Sequence, residues 1–213
     1  MKKINPIKIK ELFGKFSKDY DKHMESTNHI KVQYQILDKF LPKIRGKVLD
    51  IATGTGTIAK YIIEHTNCEV YGIDYNKRMI ENAKKKARGV KFEVGDVHQL
   101  PYEGKKFDVV LCSYGFYWFK DIEKVILEIK RVLKPRGLFI LLEEEFNKGD
   151  PKPRFSTYRQ DYLKQLANLE NYIGVNSLKR ELSGLGFELI DEIKLPVDEL
   201  HDTVGMLYKL YRK

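Results

Sequence analysis

Val48-Leu49-Asp50-Ile51-Ala52-Thr53-Gly54-Thr55-Gly56-Thr57-Ile58-Ala59 is the stretch on which the fold turns. Its opening is apolar and β-branched, its middle alternates Thr with Gly, and it runs on into Tyr61, Ile62 and Ile63, so it predicts strand, tight turn and helix. Gly54 and Gly56 leave the turn without side chains that would hold a ligand off the backbone. The free N–H groups of a helix beginning near Thr57 point into the same gap. A polar or anionic group is the expected occupant.

Downstream the alternation repeats. Residues 69–74 read as a strand ending on Asp74, and Asn76 caps a helix carrying Met79, Ile80, Ala83 and Ala87. Residues 90–94 form a strand closing on Gly95-Asp96, and residues 107–112 a strand apolar enough to be buried on both faces. Asp121 caps a helix with Ile122, Val125, Ile126, Ile129 and Leu133 that stops at Pro135, before a strand over 138–142. Five such alternations predict an α/β fold, a parallel sheet with helices on both faces and a ligand beyond the carboxyl ends of its strands. Upstream, residues 7–20 carry a helical stripe that includes Phe13 and Tyr20. A second helix from Asn28 places Ile30, Tyr34, Leu37 and Leu41 on one face. Residues 187–195 and 203–211 read as strands joined by too short a link for a crossover helix, hence an antiparallel hairpin. One domain results, with a helical lid over 1–45, a ligand-binding core over 46–142, a helical insert over 143–186 and the hairpin over 187–213.

The 213 residues, 42% hydrophobic and 32% charged, are enough for one full core. Cys68 and Cys112 have no metal-ligand spacing, which predicts neither a disulfide framework nor a metal site and fits a reducing cytoplasm. No apolar run of about 18 residues occurs, so no membrane span is expected. The net charge of +9 raises a nucleic-acid partner, but Lys84 to Lys86, Lys130-Arg131 and Lys134 fall at predicted helix ends and turns, where cations offset the helix dipole.

Three acids at three strand ends choose among ligands. Gly54 to Ala59 fits the dinucleotide pattern G-x-G-x-x-A, and Asp74 lies 18 residues beyond Gly56, where a ribose-binding acid belongs, so a nicotinamide dehydrogenase competes. Asp50 opposes it, because a carboxylate before the turn would face a pyrophosphate, whereas it can accept from an ammonium or a water. Asp96 can accept from an exocyclic amine, which places an adenine between Asp74 and Asp96.

These residues carry a resemblance. Residues 48–56, Gly72-Ile73-Asp74, Gly95-Asp96-Val97-His98-Gln99-Leu100-Pro101, Phe107-Asp108-Val109-Val110 and Arg131-Val132-Leu133-Lys134-Pro135-Arg136-Gly137 resemble, in order, the motifs of class I S-adenosylmethionine-dependent methyltransferases. Within them the chain is similar to the small-molecule branch of ubiquinone/menaquinone biosynthesis C-methyltransferases. The resemblance implies a Rossmann-like seven-stranded sheet, mostly parallel with a reversed C-terminal strand, and S-adenosylmethionine as cofactor with S-adenosylhomocysteine as product. It further implies that the loop of Asp50, Ala52, Thr53, Gly54 and Gly56 holds the methionine part and that Asp74 binds the ribose. Tyr75 and Met79 would lie beside the adenine, Asp96 on its amine, Val97 on the ring and Ser113 near the sulfonium. Ala52 departs from the family's usual Gly, and an alanine is expected to keep a negative φ there.

The expected chemistry is in-line attack of an acceptor atom on the sulfonium methyl, the protein supplying alignment and exclusion of water. The acceptor is expected to be small and partly apolar, walled by Tyr20, Phe116 and Trp118 on the lid and the loop after the fourth strand. His23, His29, His98 and His201 are possible bases that read more simply as surface residues, and Cys112 reads as an inert core thiol rather than a nucleophile. Methyl transfer to RNA or protein on the basic surface, the dehydrogenase and a cofactor-binding module without turnover are the alternatives.

Overall fold

Lys47–Ile51 (β1) is buried along nearly its whole length because it lies mid-sheet. A computed structural model describes residues 11, 13–15, 17, 19–26, 29–145, 175–195 and 205–213. In it β1 pairs in parallel with Glu69–Asp74 (β2) on one flank and Phe107–Ser113 (β4) on the other. Lys91–Val94 (β3) extends the β2 side and Leu133–Glu145 (β5) the β4 side, again in parallel. Gly205–Arg212 (β7) runs antiparallel to β5 and to Glu188–Leu195 (β6), giving the order β3-β2-β1-β4-β5-β7-β6. The expected seven-stranded sheet with its reversed strand and hairpin is present. Residues 146–174 of the expected insert and the hairpin connection at 196–204 lie outside the described residues.

The two-residue period of the strands sorts the core into two layers. After the short helix Tyr20–Ser26 (α1), the helices His29–Phe40 (α2), Thr57–His65 (α3) and Lys77–Lys86 (α4) cover the face that carries Val48, Val70, Val109 and Ile140. Ile122–Val132 (α5) and Val175–Gly184 (α6) cover the face of Leu49, Ile73, Val110 and Phe139. Asn76 and Asp121 cap α4 and α5 as expected, accepting from the backbone N–H groups of Arg78 at 3.0 Å and Lys124 at 3.1 Å.

Three elements differ from the sequence reading. β5 begins at Leu133 rather than 138: Leu133 pairs with Phe107, and the ladder resumes at Val109 with Leu138. Residues 134–137 bulge between, with Arg136 at φ 63°, and Pro135 sits where no ladder N–H is required. The helix expected over 7–20 is helical at Glu11 and 13–15 but turns at Ser17 and Asp19, and α1 starts afresh at Tyr20; residues 1–10 lie outside the described residues. The carbonyls of Gly14 and Ser17 accept from Arg78 Nη1 at 3.3 Å and Asn82 Nδ2 at 2.7 Å, in place of a continuing helix. Lys86 Nζ adds an ion pair to Asp21 at 2.5 Å. Arg78, Asn82 and Lys86 are four residues apart on one face of α4, so that face fastens the N-terminal segment at three points. Finally, α2 is turned by about one residue. It buries Gln33, Ile36, Leu37 and Phe40, while Tyr34 stacks on Tyr61 with ring centroids 4.0 Å apart.

Candidate functional site

The carboxyl ends of β1, β2 and β4 and the loop after β3 open on one side of the sheet. The turn after β1 is held by Thr53 N donating to Ile73 O at 3.0 Å and by Thr53 Oγ1 donating to Asp50 Oδ2. Burial pushes the Asp50 carboxyl up to about 7, against the lowering effect of Thr53, with the Asp74 charge adding to the rise. Gly56 ends the turn at φ 75° as the N-cap of α3, and a Cβ there would lie 2.7 Å from Phe92 Cζ. It is a glycine of close approach, outside the linings of the two cavities described below.

Asp74 at the end of β2 is held from both sides, Oδ2 accepting from Gly54 N at 2.9 Å and Oδ1 from Asn76 N at 2.8 Å. Burial raises its pKa in spite of these two bonds. Asp96 Oδ1 accepts from His98 N at 2.9 Å and meets His98 Nδ1 at 2.6 Å. Burial opposes its ionisation, yet the His98 bonds hold it below the usual carboxylate range. His98 is thus an orienting partner of Asp96, and its Nε2 accepts from Asp121 N at 3.4 Å. Arg131, bonded to the Leu100 and Tyr102 carbonyls, anchors the loop that carries Asp96.

A cavity of about 490 Å³ joins these ends. Ala52, Gly54, Asp74, Tyr75, Met79, Asp96, Val97 and Ser113 line it, with Phe13 and Tyr20 from the N-terminal segment and Tyr114 and Trp118 from the loop after β4. A smaller one of about 40 Å³ adjoins it, with Asp50, Thr53 and Thr57 on one wall and Met24, Ile30 and Gln33 on the other. Ala52, Gly54, Ser113, Tyr114 and Tyr20 line both.

The family described as methyltransferase domain matches residues 49–141. A demethylmenaquinone methyltransferase of Lactobacillus johnsonii is 30% identical over 182 residues, covering 79% of this chain and 72% of that protein. The chain belongs to the class I S-adenosylmethionine-dependent methyltransferase family. The demethylmenaquinone methyltransferase of Thermotoga maritima is 33% identical over 136 residues, 62% of this chain and 59% of that protein, so the chain spans less than two thirds of that relative. A chain from the complex of the Haloferax volcanii Trm112 methyltransferase activator with a methyltransferase shares the fold, with a TM-score of 0.73, 19% identity and coverage of 94% of this chain and 96% of that one.

Membership in the methyltransferase family sets the dinucleotide reading of the glycine loop aside. S-adenosylmethionine fits the residues present: two carboxylates face the larger cavity, a Cβ on Gly54 would meet nothing within 4 Å, and Tyr75 lines the same cavity. Of the residues singled out from sequence, Gly56 and Phe116 stand apart. Phe116 is buried against Phe119 and Phe139 at centroid distances of 5.1 and 5.8 Å, a core position. Ala52 takes φ 53°, correcting the expected negative value. The chain must turn left-handed between β1 and the Thr53–Ile73 bond, and the bare Cα of Gly115 leaves room for the alanine methyl. Cys112 is wholly buried and its thiol is pushed far up by burial, the state of an inert core residue. Only the backbone of His23 and His29 is described, and His201 lies outside the described residues. The reading from sequence missed Gln33, a polar residue on the buried stripe of α2, and Asp21, which accepts from Thr55 Oγ1 at 2.5 Å and ties the lid to the glycine loop. Among the described residues no helix is long and apolar enough to cross a membrane.

Proposed function

We propose that this chain transfers a methyl group from S-adenosylmethionine to a small, partly apolar acceptor held under the N-terminal lid. The observation that carries this reading is the edge-on contact of Phe13 on the lid with Trp118 on the loop after β4, at 5.0 Å between centroids and 89° between planes, with Tyr20 another 6.5 Å from Phe13. All three rings line the large cavity on the side of Ser113. A polymer lying on an open face would need no such roof. The curated relatives are named for demethylmenaquinone, a molecule whose ring system suits an aromatic enclosure.

When bound, the cofactor supplies an activated methyl on a sulfonium. Asp74 would accept from the ribose hydroxyls with the lone pairs that Gly54 and Asn76 leave over. Asp96 Oδ2 would accept from the adenine amine, since Oδ1 is already engaged by His98. Met79 and Val97, both buried, would pack the adenine, and Tyr75 would cover it. Ser113 would stand beside the sulfur. The lid aromatics exclude water and favour the positive sulfonium by about 0.5–2 kcal/mol of cation–π attraction.

Calorimetric titration with S-adenosylmethionine and with NAD tests the cofactor, tight binding of the first alone being expected. Transfer of labelled methyl is then measured on demethylated quinols and on transfer RNA, for the parent chain and for Trp118→Ala. Loss of transfer to the quinol in Trp118→Ala, with cofactor binding kept, is the expected result. Salt-resistant transfer to RNA that Trp118→Ala leaves intact would remove the enclosed-acceptor reading.

A further inference from the structure

Gln33 lies at a position that the strand-end acids do not explain. It is 3% exposed, yet it lines the smaller cavity. Its Nε2 donates to Ser113 Oγ at 3.1 Å, which leaves the carboxamide oxygen as the acceptor that Gln33 offers to the cavity. An acceptor on the wall of a small cavity suits a donor that arrives with a ligand.

The space before that oxygen is about 40 Å³, room for about three water-sized groups at roughly 10–15 Å³ each. That is too little for an aromatic acceptor and suits the ammonium and carboxylate of an amino acid. The opposite wall is the start of α3, whose N-cap is Gly56 with no capping side chain, so donors at Thr57 and Ile58 border the same space. Asp50 also lines it. Acceptors at Gln33 and Asp50 with donors at a helix start form a match for a zwitterion. Ser113 and Gly54 line both cavities, so a ligand with its adenosine between Asp74 and Asp96 and its sulfur at Ser113 has its tail in the smaller one.

Resting on the functional reading above, we propose that Gln33 is the residue by which the lid recognises the amino-acid end of S-adenosylmethionine, its carboxamide oxygen accepting from the α-ammonium while its amide stays on Ser113. The lid then does more than cover the acceptor: it distinguishes the whole cofactor from its adenosine part.

S-adenosylhomocysteine and 5′-methylthioadenosine share adenosine and a thioether and differ in the tail, so the ratio of their dissociation constants reports on the tail alone. The full chain is titrated with both, as the parent, Gln33→Met and Gln33→Glu. In Gln33→Met the affinity for S-adenosylhomocysteine is expected to fall about tenfold or more, with that for 5′-methylthioadenosine unchanged. In Gln33→Glu, which keeps an acceptor oxygen, most of the discrimination is expected to remain. Equal loss for both ligands in Gln33→Met would assign Gln33 a structural role, and no loss, or a change confined to the Michaelis constant of the acceptor, would assign it elsewhere; each overturns the proposal. If the parent chain binds neither ligand, the cofactor reading itself falls and takes this one with it.

Discussion

The methyl group of Ala52 faces the bare α-carbon of Gly115 so closely that a Cβ added to Gly115 would sit 2.9 Å from it and 2.6 Å from Cys112 Sγ. The missing side chain at Gly115 leaves room for the methyl of Ala52 in its left-handed backbone. Gly115, at φ −97°, is itself unstrained, so the substitution Gly115→Ala acts through overpacking alone. It is expected to lower unfolding stability by about 1–3 kcal/mol in a denaturant titration. Ala52→Gly should restore part of that loss, a positive coupling in the double-mutant cycle. Strict additivity would mean that the two positions do not share one space.

That pair also marks where the sequence stops being informative. Asp74 and Asp96 are legible because an acid at or just beyond a strand's end is a local pattern, and ligands bind beyond the carboxyl ends of the strands in such a sheet. The conformation of Ala52 is not local. It depends on a glycine 63 positions away, and an alanine by itself argues for the opposite sign of φ. Gln33 failed to show for a similar reason: which stripe of α2 is buried is decided by Phe40 and by Tyr34 leaving to stack on Tyr61, a contact with another helix. Its signal was a lone polar residue in register with Ile36, Leu37 and Phe40. The parallel pairing of β1 to β5, by contrast, follows from the alternation of strand and helix.

Replacing Asp74 tests the proposed placement of the cofactor. Asp74→Ala removes two acceptor oxygens that Gly54 and Asn76 aim into the large cavity. At roughly 1.5–3 kcal/mol for hydrogen bonds to a charged group, the dissociation constant for S-adenosylmethionine should rise about tenfold to a hundredfold. Calorimetry showing unchanged affinity in a folded protein would place the ribose elsewhere.

Asp50 gives a pH dependence with a definite sign. Its folded-state pKa of about 7 lies above the ordinary 3.8, so the folded state binds its proton more tightly than the unfolded one. The resulting stabilisation is complete below about pH 4 and is lost as the pH rises to about 7. Asp50→Asn cannot titrate. The difference in stability between parent and variant, from urea unfolding without cofactor, should therefore change by a few kcal/mol over that window, at about 1.4 kcal/mol per pKa unit. A difference that stays flat with pH would contradict the buried, protonated carboxyl.

Asp21 joins Lys86, Thr55 and Thr57 at the edge of the glycine loop. Burial lowers the Lys86 pKa, and the Asp21 bond and charge work against that. Asp21→Ala is expected to cost little global stability, about 1 kcal/mol for a partly exposed pair. It should nonetheless open the lid. Faster proteolysis before Arg45 and a several-fold faster dissociation of S-adenosylhomocysteine in stopped flow are the expected results, and unchanged rates of both would mean that Arg78 and Asn82 hold the lid alone.

The place of β7 between β5 and β6 matters while the chain is being made. β1 to β5 can pair as they emerge, but β6 joins the sheet only through β7, although it is synthesised first. Between Glu145 and Arg212 the ribosome adds 67 residues, about 3–13 s at roughly 5–20 residues per second. Throughout that interval the half-built protein presents the outer flank of β5, with Phe139, Ile140, Leu141 and Leu142 in a row, as an open edge. An apolar edge of this kind recruits other nascent chains. The nascent protein is therefore most in need of a chaperone in those seconds, and yield on overexpression should depend more on keeping that edge covered than on the stability of the finished fold.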